Sequence, residues 1–127
     1  MSDQDTGRLD GLRVLVVEDE TLVAMLLEDM LADHGCVVAG VAARIAQALE
    51  MVADDGLAIG AAILDVNLAG QPSFPIAEAL AAKGVPFVFA TGYGAGGLPE
   101  AWRGRPTLQK PFGHEEVGRM LKVAVEG

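Results

Sequence analysis

Five short apolar runs alternate with helix-like segments along this chain, and this alternation strongly limits how it can fold. The runs are RVLVV, CVVAGVA, LAIGAAILDV, VPFVFA and the short TLQ. Between them, apolar residues recur at helical spacing in segments such as TLVAMLLEDMLADHG and HEEVGRMLKVAVE. Strands that alternate with helices form a parallel sheet with helices on both faces. We therefore predict an α/β fold with a flavodoxin-like, doubly wound, five-stranded sheet in the order 2-1-3-4-5.

The length of 127 residues suits one domain with a single hydrophobic core. Residues 1–10 are polar and acidic, and we expect a flexible tail there, followed by one domain over residues 11–127. The segment GYGAGGLPEAWRG, where the fourth helix belongs, holds five glycines and a proline. Because each interior glycine costs a helix about 1 kcal/mol relative to alanine, we predict a short or mobile fourth helix. Trp102 is expected there either as part of the core or as an anchor for a partner.

The charge and cysteine content restrict the partners and the compartment. Formal net charge is −9, from 18 acidic and 9 basic residues, which argues against the basic surface that nucleic-acid binding requires. The single cysteine, Cys36, excludes a disulfide within the chain and favours a reducing cytoplasm. The N-terminus does not resemble a signal peptide, and no apolar run is long enough to span a membrane. We expect a cytoplasmic monomer or weak dimer.

Polar residues follow four of the five predicted strands. In strand order these residues are Glu18, Asp19 and Glu20, then Asp65 and Asn67, then Thr91, and finally Lys110 and Pro111. In doubly wound sheets, ligands bind beyond the carboxyl ends of the strands, at the point where the strand order reverses. The predicted fold therefore brings these residues, which are far apart in the sequence, into one pocket.

The residue types in this pocket indicate phosphoryl chemistry. Carboxylates that are crowded together repel one another and stay ionised only when a cation lies among them. Oxygen ligands without histidine or cysteine suit Mg²⁺, which also takes phosphate oxygens as ligands. Lys110 can pair with a phosphoryl oxygen, and the Thr91 hydroxyl can donate a hydrogen bond to one. We interpret the pocket as a phosphoryl-accepting site with Asp65 as the nucleophile.

Each of these residues alone also has an ordinary structural explanation. The acidic triplet can stabilise the first turn of a helix, Asp65 can be a turn residue, and Lys110 can be a solvated charge. Their occurrence at four strand ends favours a shared function. A flavodoxin-like cofactor binder would need a phosphate-cradling loop where the acidic triplet stands, and a haloacid-type phosphatase would need an aspartate in place of Asn67.

These residues also carry a family resemblance. The segments VLVVEDE, ILDVNL, FATG and KPF resemble the receiver domain of two-component response regulators, over about residues 12–124. The resemblance implies that Asp65 is the phosphoacceptor and also a ligand of Mg²⁺. It further implies that Asp19 is a direct Mg²⁺ ligand, that Glu18 acts through a water, and that Asn67 offers its backbone carbonyl.

The same resemblance implies that Thr91 and Lys110 bind the phosphoryl group and that the peptide between Lys110 and Pro111 is cis. Most receivers carry Tyr or Phe three residues before this lysine, whereas this chain has Thr107. The aromatic residue that swings inward on phosphorylation is therefore missing from its usual position. Tyr93 is a candidate replacement in the switch, and the alternative is that it only covers the edge of the sheet.

Two segments, NLAGQPSFPIAEAL and VPFVFATGYG, are similar to the FATGUY receivers, which are associated with bacterial histidine kinases of the HWE and related types. The resemblance implies a signalling switch rather than an enzyme. We expect a stand-alone receiver, and the alternative is a fragment of a longer protein. A histidine kinase would phosphorylate it, and a downstream protein or phosphotransfer partner would receive the signal. The alternative is a phosphate-independent interaction or dimerisation module with the receiver fold, which the unusual Thr107 leaves open.

Overall fold

The computed structural model describes residues 9–92 and 98–127, which form a sheet with helices on both faces. In chain order the elements are β1 (Arg13–Val17), α1 (Thr21–Asp33), β2 (Val37–Ala42), α2 (Ile45–Ala53), β3 (Ala61–Asp65), β4 (Asn67–Leu68), β5 (Gln71–Pro72), α3 (Phe74–Ala82), β6 (Phe87–Thr91), β7 (Thr107–Gln109) and α4 (His114–Glu126). Short 3-10 turns lie at Asp55–Leu57 and Glu100–Trp102.

The main sheet contains five parallel strands in the order β2-β1-β3-β6-β7. The predicted fold class and strand order are confirmed, because β6 and β7 are the predicted fourth and fifth strands. The chain first crosses from β1 to β2 and then continues on the other side of β1 through β3, β6 and β7. The strand order therefore reverses between β1 and β3, where a doubly wound sheet has its ligand crevice. The antiparallel hairpin of β4 and β5 was not predicted.

Two hydrophobic clusters fill the two faces of the sheet. One cluster packs α1 and α4 against the sheet and includes Leu9, Leu27, Leu31, Val117 and Leu121. The other packs α2 and α3 against the opposite face and includes Ala48, Val52, Ile76, Leu80, Phe87 and Phe89. The continuous apolar runs are thus explained, since their strands are covered on both faces.

The apolar spacing of α1 extends beyond its buried side. Ala24, Leu27 and Leu31 are buried, whereas Leu22 and Leu26 remain 75% and 54% exposed. Helical spacing alone therefore overstates the width of the core-facing stripe of this helix.

None of the helices within residues 9–92 and 98–127 has the length and apolarity that a membrane-spanning segment requires.

The segment between β6 and β7, where we predicted a short or mobile helix, is only partly described. Between residues 98 and 106, helical structure is limited to the 3-10 turn at Glu100–Trp102. The Trp102 ring packs at 6.0 Å from Phe89 and stacks at 6.5 Å on Phe74, measured between ring centroids. The guanidinium of Arg105 lies 5.5 Å from the centre of the Trp102 ring. Of the two interpretations of Trp102, these contacts support the core.

Candidate functional site

The carboxyl ends of β1, β3, β6 and β7 meet at one edge of the sheet because these strands are parallel neighbours. Glu18 follows β1 directly, Asp65 ends β3, Thr91 ends β6, and Lys110 follows β7. Glu18, Asp65 and Thr91 are only 2%, 6% and 5% exposed. Burial of polar side chains at a strand end is costly unless they have partners, so these residues are candidates for a site.

Three carboxylates converge at this edge. One oxygen each from Glu18, Asp19 and Asp65 lies within 4.8 Å of the others. Glu18 and Asp65 are buried, while Asp19 reaches solvent. Such a cluster of negative charge in a partly desolvated place requires a nearby cation.

Lys110 supplies part of that positive charge. Its Nζ donates a hydrogen bond of 3.0 Å to Oδ2 of Asp65 and lies 3.1 Å from Oε1 of Glu18. A third carboxylate, that of Glu20, is 3.6 Å away. Burial lowers the pKa of Lys110, but the hydrogen bonds and charges of Asp65 and Glu18 outweigh burial and raise it overall. The amine is therefore held in its charged form between the carboxylates.

Hydrogen bonding of its backbone fixes the position of Lys110 beside the end of β6. The Lys110 N–H donates to the Thr91 carbonyl at 2.9 Å, which joins the ends of β6 and β7. The peptide bond between Lys110 and Pro111 is cis. The side chain thus starts beside Thr91 and extends to the carboxylates of Glu18 and Asp65.

Glu18 is the least compensated carboxylate in the cluster. Its Oε2 accepts a 3.0 Å hydrogen bond from the Glu20 N–H. Its Oε1 is buried and pairs with the Lys110 amine at 3.1 Å, without a further donor from the residues described. Burial, with a smaller contribution from the charge of Asp65, raises the pKa of Glu18 from 4.5 to about 7, against the opposing effects of the Glu20 N–H and Lys110.

The β4–β5 hairpin places the backbone N–H of Asn67 beside Asp65. The Ser73 N–H donates to the Val66 carbonyl at 2.9 Å, which closes the base of the hairpin. In the hairpin register Asn67 lies opposite Pro72, which has no N–H to donate to it. The Asn67 N–H donates a hydrogen bond of 3.4 Å to Oδ1 of Asp65.

Ser73 connects the hairpin to the end of β3. Its side chain is fully buried, and its hydroxyl donates to the Asp65 carbonyl at 2.5 Å, with the Val66 carbonyl 3.1 Å away. A role of Ser73 at this edge was not predicted from the sequence, because a serine just before a helix usually caps the helix. Here its side chain makes no cap hydrogen bond.

The donor set of this edge fits a hard divalent cation such as Mg²⁺. The three side chains that converge offer only oxygen, and in the described part of the chain the buried Glu18 Oε1 has no donor beyond its ion pair with Lys110. Glu18, Asp19 and Asp65 would hold the ion, and the Asn67 carbonyl stays a ligand expected from the family resemblance. Of the other residues selected from the sequence, Thr91 and Lys110 lie at the same edge, whereas Tyr93 lies outside the described residues.

The fold and this acidic edge together define a doubly wound domain with an oxygen-ligand site at its switch point. The family model of the response regulator receiver domain matches residues 14–122. The chain therefore belongs to the response regulator receiver domain family. Receiver domains are signalling domains that bind Mg²⁺ at an acidic pocket and interact with histidine kinases and downstream partners.

Similar proteins and solved structures support this family membership. Sensor protein TorS of Escherichia coli (strain K12) is 31% identical over 120 residues, which cover 90% of this chain but only 13% of TorS. The solution structure of SdrG from Sphingomonas melonis Fr1 is 47% identical, with a TM-score of 0.81, over 92% of this chain and 98% of that one. The receiver domain of PhyR from Erythrobacter litoralis is 32% identical, with a TM-score of 0.81, over 94% of each chain.

Proposed function

We propose that this domain accepts a phosphoryl group on Asp65 from a histidine kinase, with Mg²⁺ bound, and thereby switches a surface that binds a downstream protein. The observation that carries the proposal is the convergence of Glu18, Asp19 and Asp65 within 4.8 Å, with the Lys110 amine beside Glu18 and Asp65. The BeF3-activated conformation of the related SdrG has also been solved, and it is 46% identical to this chain with a TM-score of 0.77. Beryllofluoride imitates a phosphoryl group, so this likeness supports an aspartyl phosphate here.

Asp65 acts as the nucleophile in the proposed transfer. One of its carboxylate oxygens forms a bond to phosphorus as the bond between phosphorus and the donor's imidazole nitrogen breaks, and the electron pair leaves with the imidazole. A bound Mg²⁺ supplies charge stabilisation for the phosphoryl oxygens. The backbone of Asn67 and the hydroxyl of Ser73 hold the nucleophile in place through their contacts with Asp65.

Lys110 has a different partner before and after transfer. Before transfer it neutralises Asp65 and Glu18. Once Asp65 carries the phosphoryl group, the amine pairs with a phosphoryl oxygen, and the Thr91 hydroxyl donates to another. The added charge then reorganises the segment over residues 91–106, with Tyr93 as the candidate switching aromatic, and so alters the partner surface.

The kinase partner that we propose is of the HWE type, from the similarity to FATGUY receivers. The single thiol, Cys36, is buried and suits a reducing compartment, so we place the reaction in the cytoplasm. Hydrolysis of the aspartyl phosphate would reset the domain, and no other substrate is turned over.

The test is the intact mass of the protein after incubation with Mg²⁺ and either phosphoramidate or a phosphorylated HWE-type kinase. We expect a gain of one phosphoryl group that disappears in Asp65→Asn and when Mg²⁺ is withheld. Binding of beryllofluoride to the wild type but not to Asp65→Asn provides an independent measurement. If neither donor adds mass and beryllofluoride does not bind, the phosphoacceptor proposal is wrong.

A phosphate-independent interaction module is the second candidate, and Thr107 favours it. Threonine has no aromatic ring that could swing inward when Thr91 binds a phosphoryl group. The Thr107 hydroxyl instead donates to the Arg105 carbonyl at 3.0 Å. In that case partner binding would be the same for the wild type and for Asp65→Asn, with or without beryllofluoride.

A further inference from the structure

A cleft of about 600 Å³ opens beside Asp19, between the loop that follows β2 and the β4–β5 hairpin. Its lining residues besides Asp19 are Ala43, Arg44, Ile45, Ala46, Leu68, Ala69 and Gln71. Arg44 is the one cation among them, and its side chain is exposed. Within the two described ranges, no hydrogen bond or ion pair joins the Arg44 guanidinium to another residue.

The charge of Arg44 is available at an edge that is otherwise acidic. Lys110 is already engaged by Asp65 and Glu18, and the whole chain carries a formal net charge of −9. A phosphoryl donor is itself an anion and must approach this edge. An available guanidinium in a cleft that borders the candidate metal ligand Asp19 attracts and orients such a donor.

We propose that this cleft binds the acyl end of a small acyl phosphate, with Arg44 paired to the carboxyl oxygens that become the leaving group. The inference rests on the proposed role of Asp65 as phosphoacceptor. Ile45, which is half-buried in the cleft wall, provides apolar contact for a short acyl chain. Arg44 would thus determine which small donors the domain uses.

The transfer from an acyl phosphate is balanced without a proton. An Asp65 oxygen forms a bond to phosphorus while the bond between phosphorus and the acyl oxygen breaks. The electron pair leaves with that oxygen, and the product departs as a carboxylate. Because negative charge grows on the leaving oxygen, a guanidinium beside it stabilises the transition state.

The experiment compares acetyl phosphate with phosphoramidate, whose leaving group is ammonia and has no carboxyl oxygens. Intact mass over time gives the second-order rate constant of phosphorylation for each donor. We expect Arg44→Ala to lower the constant for acetyl phosphate about three- to tenfold and that for phosphoramidate less than about twofold. Arg44→Lys should recover part of the loss. Arg119→Ala, which removes an exposed cation from α4, should leave the ratio of the two constants as in the wild type.

The outcomes separate this inference from the proposed function. An unchanged ratio in Arg44→Ala, or an equal change in Arg119→Ala, would overturn the role of Arg44. A wild type that accepts phosphate from phosphoramidate but not from acetyl phosphate would also overturn it, while leaving Asp65 as the acceptor. Failure of both donors together with the absence of beryllofluoride binding would instead overturn the proposed function.

Discussion

Lys110 donates a hydrogen bond of 3.0 Å from its Nζ to Oδ2 of Asp65, the side chain that we propose as the phosphoacceptor. The same amine lies 3.1 Å from Oε1 of Glu18, so one cation serves two buried carboxylates. Without the lysine or a metal ion, the two carboxyl groups would face each other in a place with little water, where Glu18 would keep its proton more readily than it does beside Lys110. The stability of this edge therefore depends on the cation that occupies it.

Replacement of this lysine should make folding depend on the metal. We expect Lys110→Met to lower the free energy of unfolding by about 1–3 kcal/mol in metal-free buffer, because Glu18 and Asp65 lose their shared cation. Added Mg²⁺ should recover most of this loss by replacing the missing charge. Urea unfolding with and without Mg²⁺ measures both effects, with Lys122→Met on α4 as the matched change of charge. A loss that Mg²⁺ does not reduce would contradict the prediction.

Glu18 should make Mg²⁺ binding depend on pH. Burial raises its pKa to about 7, so the folded protein still holds a proton where the unfolded chain, at 4.5, has released it. Metal-free stability should therefore fall as pH rises from about 4.5 to about 7 and then level off. Mg²⁺ must displace this proton, so its affinity should rise with pH up to about 7, by at most about tenfold per pH unit.

Calorimetric titration with Mg²⁺ at several pH values checks this dependence. Glu18→Gln cannot lose a proton, so its weaker affinity for Mg²⁺ should vary little across the same range. The wild type would contradict the prediction if its affinity were the same at about pH 6 and about pH 8.

The strand-end residues could be predicted because the fold that orders them is encoded locally. Continuous apolar runs predicted the parallel strands, and parallel strands bring the residues that follow them to one edge. Glu18, Asp65 and Lys110 could therefore be predicted as neighbours without any knowledge of the distances between them. The role of each in phosphoryl transfer stays a prediction, as does that of Tyr93, which lies outside the described residues.

The hairpin could not be predicted because its strands are too short to show a hydrophobic period. Its turn also lacks the usual signal, since Ala69 adopts a left-handed conformation with a φ of 53° where asparagine or glycine is typical. The hydrogen bond from Ser73 to Asp65 depends on this turn, so it could not be predicted from the sequence either. Contacts between helices, such as that of His34 with Gly118, depend on how α1 and α4 pack and have no local sequence pattern.

Ser73 should support the metal site as well as the fold. Ser73→Ala leaves the Asp65 carbonyl without its buried donor, and we expect a loss of about 1–3 kcal/mol in the free energy of unfolding. Because the Ser73 hydroxyl is one of the bonds that hold the Asp65 backbone against the end of the hairpin, Mg²⁺ affinity should also fall. Val52→Ala removes buried volume from α2 and should cost a similar stability without changing Mg²⁺ affinity. Equal Mg²⁺ affinities for Ser73→Ala and Val52→Ala would assign Ser73 a purely structural role.

Gly118→Ala should have opposite effects on stability in the wild type and in a protein that lacks the His34 ring. A Cβ at Gly118 would lie 2.5 Å from Cε1 of His34, whose Nε2 is 2.8 Å from the His114 carbonyl oxygen. We expect Gly118→Ala alone to destabilise the protein by about 1–2 kcal/mol, because the ring must move and lose this bond. In a His34→Ala background the clash is absent, and Gly118→Ala should stabilise α4 by up to about 1 kcal/mol through helix propensity. Urea unfolding of the four proteins measures this cycle. If Gly118→Ala changes the free energy of unfolding in the same direction in both backgrounds, the His34 ring is not the reason that this position requires glycine.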